Sequence, residues 1–149
     1  MRRSVPGHSE FLVSYTRSEA RSNAVVEYGL DNPILGPADG GPLAWDSPNN
    51  LLVWGWYPLD LLGGLTLAYT FQWRTGFRFS VVDQTQELAG LPHDRRFPDY
   101  LALNLHLERR FGLFGWQWAL RAGFNNLTGR DNPTVVDNNV DSPGFLTYG

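Results

Sequence analysis

Apolar and polar side chains alternate with a period of two through most of the stretch from residue 100 to residue 125. Leucine occupies every second position from residue 101 to 107, and aromatic or aliphatic side chains do so again from residue 116 to 124. Successive side chains leave opposite faces of a β-strand, so this pattern predicts two strands. The sequence Phe-Gly-Leu-Phe-Gly between them supplies two glycines for a chain reversal, which predicts an antiparallel hairpin.

The length of the two arms constrains their environment. Each arm has about eleven residues, whereas strands of soluble domains usually have roughly 5–6. Eleven residues at a rise of ~3.3 Å reach about 36 Å, and a tilt near 45° reduces this to a height of about 25 Å. That height matches the apolar band of an outer-membrane barrel. A soluble sandwich would show the same alternation with the apolar side facing inward, so the length, and not the alternation, favours a membrane.

Other strands are predicted at residues 10–18, 50–58 and 65–75, with a short β segment at 77–82 and the start of a last strand at 145–148. Gly55 interrupts one of them and predicts a close backbone approach or a bend. The connections at 19–49, 76–99 and 128–144 are long and rich in turn residues, while those at 58–64 and 111–115 are short. Short turns at one end and long loops at the other are typical of outer-membrane barrels.

The predicted fold class is therefore all-β, an antiparallel transmembrane β-barrel segment with five complete strands and one truncated strand. The smallest barrels need about eight strands. We therefore expect residues 1–149 to be one fragment of a larger barrel domain.

Aromatic residues of the predicted strands group by height. Leucine dominates between the groups, as expected for two interfacial girdles around an aliphatic belt. The preference of aromatics for strands explains their presence but predicts no such grouping. Those near the short turns are Trp54, Trp56, Tyr57, Phe111, Phe114, Trp116 and Trp118. Those near the long connections are Tyr69, Phe71, Trp73, Phe97, Tyr100, Phe124 and Phe145.

Composition excludes several classes of protein. The net charge of −3 leaves no basic surplus for phosphates, so nucleic acid is not an expected partner. No apolar run approaches the ~20 residues of a transmembrane helix. Cysteine is absent, which excludes disulfides and thiolate metal sites. The N-terminus lacks the apolar stretch of a signal peptide, so we expect the segment to belong to a longer chain.

An ordered set of short motifs carries a family resemblance. Arg95-Arg96-Phe97-Pro98-Asp99-Tyr100 leads into the leucine-alternating strand and Glu108-Arg109-Arg110-Phe111. The following strand runs into Asn125-Asn126-Leu127-Thr128, and Asn132-Pro133 comes shortly after. From about residue 10 to the end, the chain resembles the C-terminal part of TonB-dependent outer-membrane receptors. It is most similar to large receptors with a carboxypeptidase-regulatory-like domain ahead of the plug.

The resemblance implies a barrel of 22 strands, closed by an N-terminal plug, for energy-coupled uptake of a bulky nutrient across the bacterial outer membrane. The implied partners are outer-membrane lipid, the rest of the barrel and plug, an inner-membrane energy-coupling protein acting through the plug, and an unknown nutrient ligand. The plug and TonB-box segments are absent from the sequence, so no residue is assigned to energy coupling. Two alternatives remain open: a soluble carbohydrate-binding β-sandwich with tryptophans that stack on sugars, and a fragment of another outer-membrane barrel, a porin or an adhesin.

No catalytic chemistry is predicted. The sequence has no nucleophile elbow and no phosphate-binding loop, so we expect no enzyme activity, no catalytic residue and no cofactor. None of His8, His93 and His106 has a second ligand at metal-binding spacing. We expect His106 to line the lumen of the barrel.

Glu108 and Arg121 fall on the same polar face of the hairpin, which allows a Glu108–Arg121 pair or a His106–Arg121 contact. Structural charge pairing in a wet lumen is favoured over substrate contact. On the same reasoning, arginine at Leu103 or Leu105 should block membrane assembly, while arginine at Asn104 should be tolerated.

The long connections hold the remaining polar candidates. Arg95 and Arg96, with Asp94 and Asp99, are candidates to touch substrate, because loops carry binding in such barrels. Asx-turns explain the Asn- and Asp-rich connection better than a calcium site does, because its oxygens lack a regular ligand series around a glycine. These residues are Asp131, Asn132, Asp137, Asn138, Asn139 and Asp141. The triplet Asn126-Leu127-Thr128 matches a glycosylation motif by coincidence.

Overall fold

A computed structural model describes residues 2–5, 9–23, 26–27, 34–35, 41–59 and 64–149. Within these residues the chain is all-β, with antiparallel sheets. The described strands are β1 (Arg2–Val5), β2 (Ser9–Arg17), β3 (Arg21–Ser22), β4 (Val26–Glu27), β5 (Ile34–Leu35), β6 (Gly41–Pro42), β7 (Asn49–Leu59), β8 (Leu65–Arg74), β9 (Arg78–Phe79), β10 (Arg95–Arg96), β11 (Tyr100–Leu113) and β12 (Trp116–Phe124). His8 and most of the predicted turn at 58–64 lie outside the described residues.

Six strands form one sheet in the order β1-β2-β7-β8-β11-β12. Five of them are the five complete predicted strands, so the all-β class and these five strands are confirmed to within a few residues at each end. The sixth, β1, was not predicted, because its four residues carry no alternation and only pairing with β2 makes them a strand. The described strands do not close this sheet into a barrel.

The strands of the β11–β12 hairpin extend further, and its turn is shorter, than the sequence predicts. Pairing runs from Leu105 opposite Phe124 to Leu113 opposite Trp116. Only Phe114 and Gly115 remain for the turn, and both have positive φ angles, 54° and 76°. Two consecutive positive φ values define a type I′ turn, whose twist matches that of the flanking strands. The β11–β12 ladder therefore continues into the stretch that we expected to form the reversal.

The sheet lacks the one-sided burial of a sandwich. Strand β8 lies between β7 and β11, yet none of its ten residues is buried and none is fully exposed. On the apolar face of β12, Trp116 is 72%, Leu120 67% and Phe124 57% exposed. Covering by a second layer would bury one face of a central strand and leave the other open.

The chain separates into two compact units. The sheet unit comprises Met1–Thr16, Asn50–Trp73 and Leu101–Arg130, while the connection unit comprises Arg17–Asn49, Arg74–Tyr100 and Asp131–Gly149. The connection unit thus joins the three stretches that the sequence presents as separate loops.

Most of the buried side chains among the described residues belong to the connection unit. Phe79, Val81 and Val82 are its buried apolar residues, at 8%, 7% and 3% exposure. Asp46, Ser80 and His93 are its buried polar residues. In the sheet unit Ala102 is the buried hydrophobic residue.

Backbone hydrogen bonds hold the three connections together. Val82 N–H donates to the Asn138 carbonyl at 3.0 Å, and Val140 N–H donates to the Val82 carbonyl at 2.8 Å. The N–H of Leu43 donates to the Ala20 carbonyl at 3.0 Å, and that of Arg78 to the Ala44 carbonyl at 2.9 Å. These bonds satisfy backbone groups that an isolated loop would leave to water.

Two predicted β segments in the connection unit differ from the structure. The segment at 77–82 shortens to β9, which pairs with β10, and two isolated bridges of Val82, to Leu88 and to Asn139. The strand predicted to begin at Phe145 is wrong, because Phe145 N–H donates to the Ser142 carbonyl and Thr147 N–H to the Gly144 carbonyl. Such bonds between residues three apart make turns. Beyond them, Gly149 N–H donates to the Val135 carbonyl at 3.0 Å, and Tyr148 forms an isolated bridge with Val136.

The described part of the chain includes no helix with the length and apolar character required to cross a membrane.

Candidate functional site

A groove of about 770 Å³ lies on the polar face of the sheet unit. Even-numbered residues of β11 and odd-numbered residues of β12 share this face, because directly opposed residues of an antiparallel pair point the same way. Thr66 and Ala68 of β8 line the groove with them. The groove is lined by Trp56, Gly64, Thr66, Ala68, His106, Leu107, Glu108, Arg110, Arg121, Ala122 and Gly123.

Glu108 is the centre of charge in this groove. It lies directly opposite Arg121, and its carboxylate accepts hydrogen bonds from Arg121 Nε and Arg110 Nε, each at 2.6 Å. The predicted Glu108–Arg121 pair is thus confirmed. Both arginine side chains are more than 70% exposed, and exposed ion pairs contribute about 0–1 kcal/mol. The cluster therefore places charge in the groove and adds little to stability.

The strand register does not place His106 opposite Arg121. His106 lies opposite Gly123, and a Cβ atom built on Gly123 would be 2.5 Å from His106 Nδ1. The imidazole therefore covers the glycine, which has no side chain to displace it. His106 is exposed on the polar face, as expected for a residue of a wet surface.

The Asn-Leu motif that follows β12 docks onto β11. Asn126 N–H donates to Asn104 Oδ1 at 2.8 Å, and Leu127 N–H donates to the Leu103 carbonyl at 2.7 Å. Asn126 Nδ2 donates to the Arg130 carbonyl at 2.9 Å, which engages the amide of the glycosylation-like triplet in a turn. Asn104 is therefore a structural residue, and His106 is a better position than Asn104 for a tolerated substitution on the polar face.

The predicted aromatic girdles need correction on β7. A Cβ atom on Gly55 would come within 2.8 Å of the Tyr69 hydroxyl, so Gly55 points to the same face as Tyr69. This confirms the close approach predicted at Gly55. Because faces alternate along a strand, Trp54 and Trp56 point to the opposite face, and Trp56 lines the polar groove. Both faces of β7 are apolar in sequence, so only its pairing with β8 decides which face its tryptophans occupy.

Phe97 also differs from the girdle prediction. Its ring packs against Phe79, with ring centroids 5.1 Å apart, and against Tyr148 at 5.9 Å. All three residues belong to the connection unit. Phe97 therefore contributes to the packing of that unit.

A buried charge cluster in the connection unit was not predicted. Asp46 is 2% exposed, and its carboxylate accepts hydrogen bonds from Arg78 Nε at 2.9 Å, Arg96 Nη2 at 2.6 Å and the backbone N–H of Ala20 at 3.0 Å. Arg96 also donates to the Asp46 and Gly76 carbonyls. No local pattern around Asp46 indicates this role, since its partners are 26 to 50 residues away in sequence.

The cluster changes the acidity of Asp46. Burial acts to raise the pKa of the carboxyl group, but hydrogen bonds from Ala20 N–H and from Arg78 and Arg96 lower it by more, together with the charge of Arg96. The net effect is a pKa below the ordinary value of 3.8. Asp46 is therefore an ionised hub for two guanidinium groups.

The substrate candidates of the second connection separate in the structure. Arg96 belongs to the charge cluster, and Asp99 Oδ1 accepts a hydrogen bond from Gly76 N–H at 3.3 Å. Arg95 and Asp94 have exposed side chains. Of the four, these two have the accessibility that ligand contact requires.

The Asn- and Asp-rich connection forms Asx-turns, as predicted. Asp137 Oδ1 accepts from Asn139 N–H at 3.2 Å, and Asn139 Oδ1 accepts from Asp141 N–H at 2.9 Å. Ser142 Oγ donates a short hydrogen bond to the other Asp137 oxygen. Among the described residues, no group of three or more His, Cys, Asp or Glu side chains is arranged to hold a metal ion.

Comparisons with protein-family models, with curated proteins and with solved structures found no match to this chain.

Proposed function

We propose that this chain is a membrane-spanning segment of a bacterial outer-membrane β-barrel, from the C-terminal part of a TonB-dependent receptor that imports a bulky nutrient. Its role is transport and not catalysis. Its partners in this proposal are outer-membrane lipid, the remaining strands and plug of the receptor, an inner-membrane energy-coupling protein acting through the plug, and the nutrient.

The observation that carries the proposal is the open apolar face of a sheet built from long strands. Strands β7, β8 and β11 have 11, 10 and 14 residues, and the apolar side chains of β12 are more than half exposed. Exposed apolar surface costs about 25 cal/mol per Å² in water. Contact with lipid would remove this cost without a second protein layer over the sheet.

The sandwich alternative accounts less well for β8. Sandwich strands alternate buried and exposed residues along their length, whereas burial is uniform along β8. The exposed tryptophans Trp116 and Trp118 remain candidates for sugar stacking in that alternative. A porin or adhesin barrel would present the same sheet, so only the sequence resemblance favours a receptor over these.

The membrane proposal is tested with two adjacent substitutions that lie at the same depth on opposite faces. Leu105→Arg on the apolar face is expected to reduce assembly strongly, since arginine near the bilayer midplane costs about 2–4 kcal/mol. His106→Arg on the polar face is the matched control and is expected to assemble normally. Each variant is expressed within the complete coding sequence, and outer-membrane protein is quantified after urea washing, with its heat-dependent gel mobility.

Two results would contradict the proposal. Equal yields for the two variants would show that the sheet has no lipid-facing side. A wild-type protein that stays soluble and elutes as a sugar-binding monomer would establish the sandwich instead.

A further inference from the structure

A second cavity, of about 210 Å³, lies within the connection unit. It is smaller than the roughly 300–1,000 Å³ of pockets that hold drug-sized ligands. Its lining combines one cation with flat apolar side chains and two small polar ones. The lining residues are Arg74, Gly76, Phe77, Phe97, Pro98, Tyr100, Asn132, Pro133 and Thr134.

Arg74 supplies the charge of this cavity. Its guanidinium carbon lies 4.0 Å from the centroid of the Phe77 ring and 4.9 Å from that of the Tyr100 ring. Aromatic faces attract a guanidinium group and fix its plane. Among the ion pairs and hydrogen bonds of the described residues, none joins Arg74 to a carboxylate. Its N–H donors therefore remain available to an anion that enters the cavity.

The walls of the cavity are held by contacts independent of any ligand. Phe97 N–H donates to the Phe77 carbonyl at 2.9 Å, and the Phe97 ring packs on Phe79 and Tyr148. The Gly76 carbonyl accepts from Arg96 at 2.9 Å. A Cβ atom on Gly76 would overlap the Phe97 carbonyl, so the two backbone segments meet closely. Such a site needs little ordering when a ligand binds, which favours affinity.

We propose that this cavity binds the carboxylate group of a small monoanion with a flat apolar body. A guanidinium fork matches the two oxygens of a carboxylate, and the lining contains a single cation and no acidic side chain. One cation balances one negative charge, which disfavours phosphate. The rings of Phe77, Phe97 and Tyr100 and the two prolines provide planar apolar walls for the ligand body. Carboxylate binding in this cavity does not depend on the proposed membrane function. Only the further step, that the bound molecule is the imported nutrient, rests on that function.

The test measures binding of phenylacetate to the folded protein by calorimetry, with phenylacetamide as the neutral analogue and inorganic phosphate as the competing anion. Phenylacetate is expected to bind one site, at least tenfold more tightly than phenylacetamide, and excess phosphate is expected not to displace it. Arg74→Gln should weaken phenylacetate binding at least tenfold. Arg21→Gln, which removes an exposed arginine of the same unit outside the cavity, should leave it unchanged.

Arg74→Lys keeps the positive charge above the rings but removes the paired N–H donors of the guanidinium group. This variant tests the role of Arg74 if Arg74→Gln does not fold. The expected loss for this variant is at least threefold. Equal binding of phenylacetate and its amide, displacement by phosphate, wild-type affinity in the folded Arg74 variants, or no binding at all would each overturn the proposal. A soluble protein that still binds phenylacetate through Arg74 would contradict only the membrane proposal.

Discussion

At the scale of single residues, Asp46 joins parts of the chain that are distant in sequence. It receives hydrogen bonds from the first connection through Ala20 and from the second through Arg78 and Arg96. A carboxylate buried to 2% exposure is stable only when its charge is compensated. The guanidinium groups of Arg78 and Arg96 supply that compensation.

Asp46→Asn is expected to destabilise the connection unit by about 3 kcal/mol, because removing one partner of a buried ion pair leaves uncompensated charge. Hydrogen exchange of amides in residues 74–100 reports the change. Asp94→Asn is the matched control, since Asp94 is exposed, and should change exchange by less than about 0.5 kcal/mol. An Asp46→Asn protein with wild-type exchange would contradict the structural role of the cluster.

The pH dependence of stability follows from the lowered pKa of Asp46. The folded pKa lies below the unfolded value of 3.8. The contribution of Asp46 is therefore fully present above the unfolded pKa and is lost as pH falls through the lower folded pKa. Protection factors in residues 74–100, which correct exchange rates for their intrinsic pH dependence, are followed from neutral pH down to about pH 2 and should fall below about pH 4 in the wild type. The additional loss should be absent in Asp46→Asn, and an identical acid profile in both proteins would contradict this origin.

At the scale of elements, the β11–β12 hairpin carries a mismatch between residue type and backbone conformation. Phe114 has a φ angle of 54°, which costs a residue with a side chain about 1–2 kcal/mol relative to glycine. Asparagine tolerates this conformation, and Asn-Gly is the preferred pair for a type I′ turn. The hairpin therefore forms because of the alternation in its two strands, although Phe114 is an unfavourable residue for its turn.

Phe114→Asn is expected to stabilise the hairpin by about 1 kcal/mol by relieving that conformational cost. Gly115→Ala, at the neighbouring position with a φ angle of 76°, should destabilise it by a similar amount. Urea unfolding of the protein measures both changes. Phe114 is 88% exposed, so a loss of stability in Phe114→Asn would mean that its ring makes an interfacial contact more important than the turn strain.

At the scale of the whole molecule, the two units obtain their stability differently. The connection unit has a buried apolar cluster of Phe79, Val81 and Val82, while long strands with open faces make the sheet unit. Burial of side chains stabilises the first. Backbone pairing and, in the proposed function, surrounding lipid stabilise the second.

Two matched truncations test this difference. Phe79→Ala removes a ring that is 8% exposed and is expected to cost about 3–5 kcal/mol in the connection unit. Phe124→Ala removes a ring that is 57% exposed and should cost less than about 1 kcal/mol in the sheet unit. Hydrogen exchange resolved by peptide measures each unit separately. Equal costs would show that other protein segments cover the apolar face of β12 in the folded protein.

The sequence by itself determined the long strands and the two faces of the β11–β12 hairpin. These features depend on a period of two within a single segment, which can be read from the alternation at residues 101–107 and 116–124. The Glu108–Arg121 pair followed from the same parity, because opposed residues of a hairpin share a face.

Only the tertiary structure decided what the three long connections do. The Asp46 cluster, the cavity beside Arg74 and the packing of Phe97 on Tyr148 each bring together residues that are distant in sequence. It also decided that Trp56 lies in the polar groove, since both faces of β7 are apolar in sequence. The physical reason is one of range: alternation is a local property of the backbone, whereas charge pairing and burial depend on which distant segments come together.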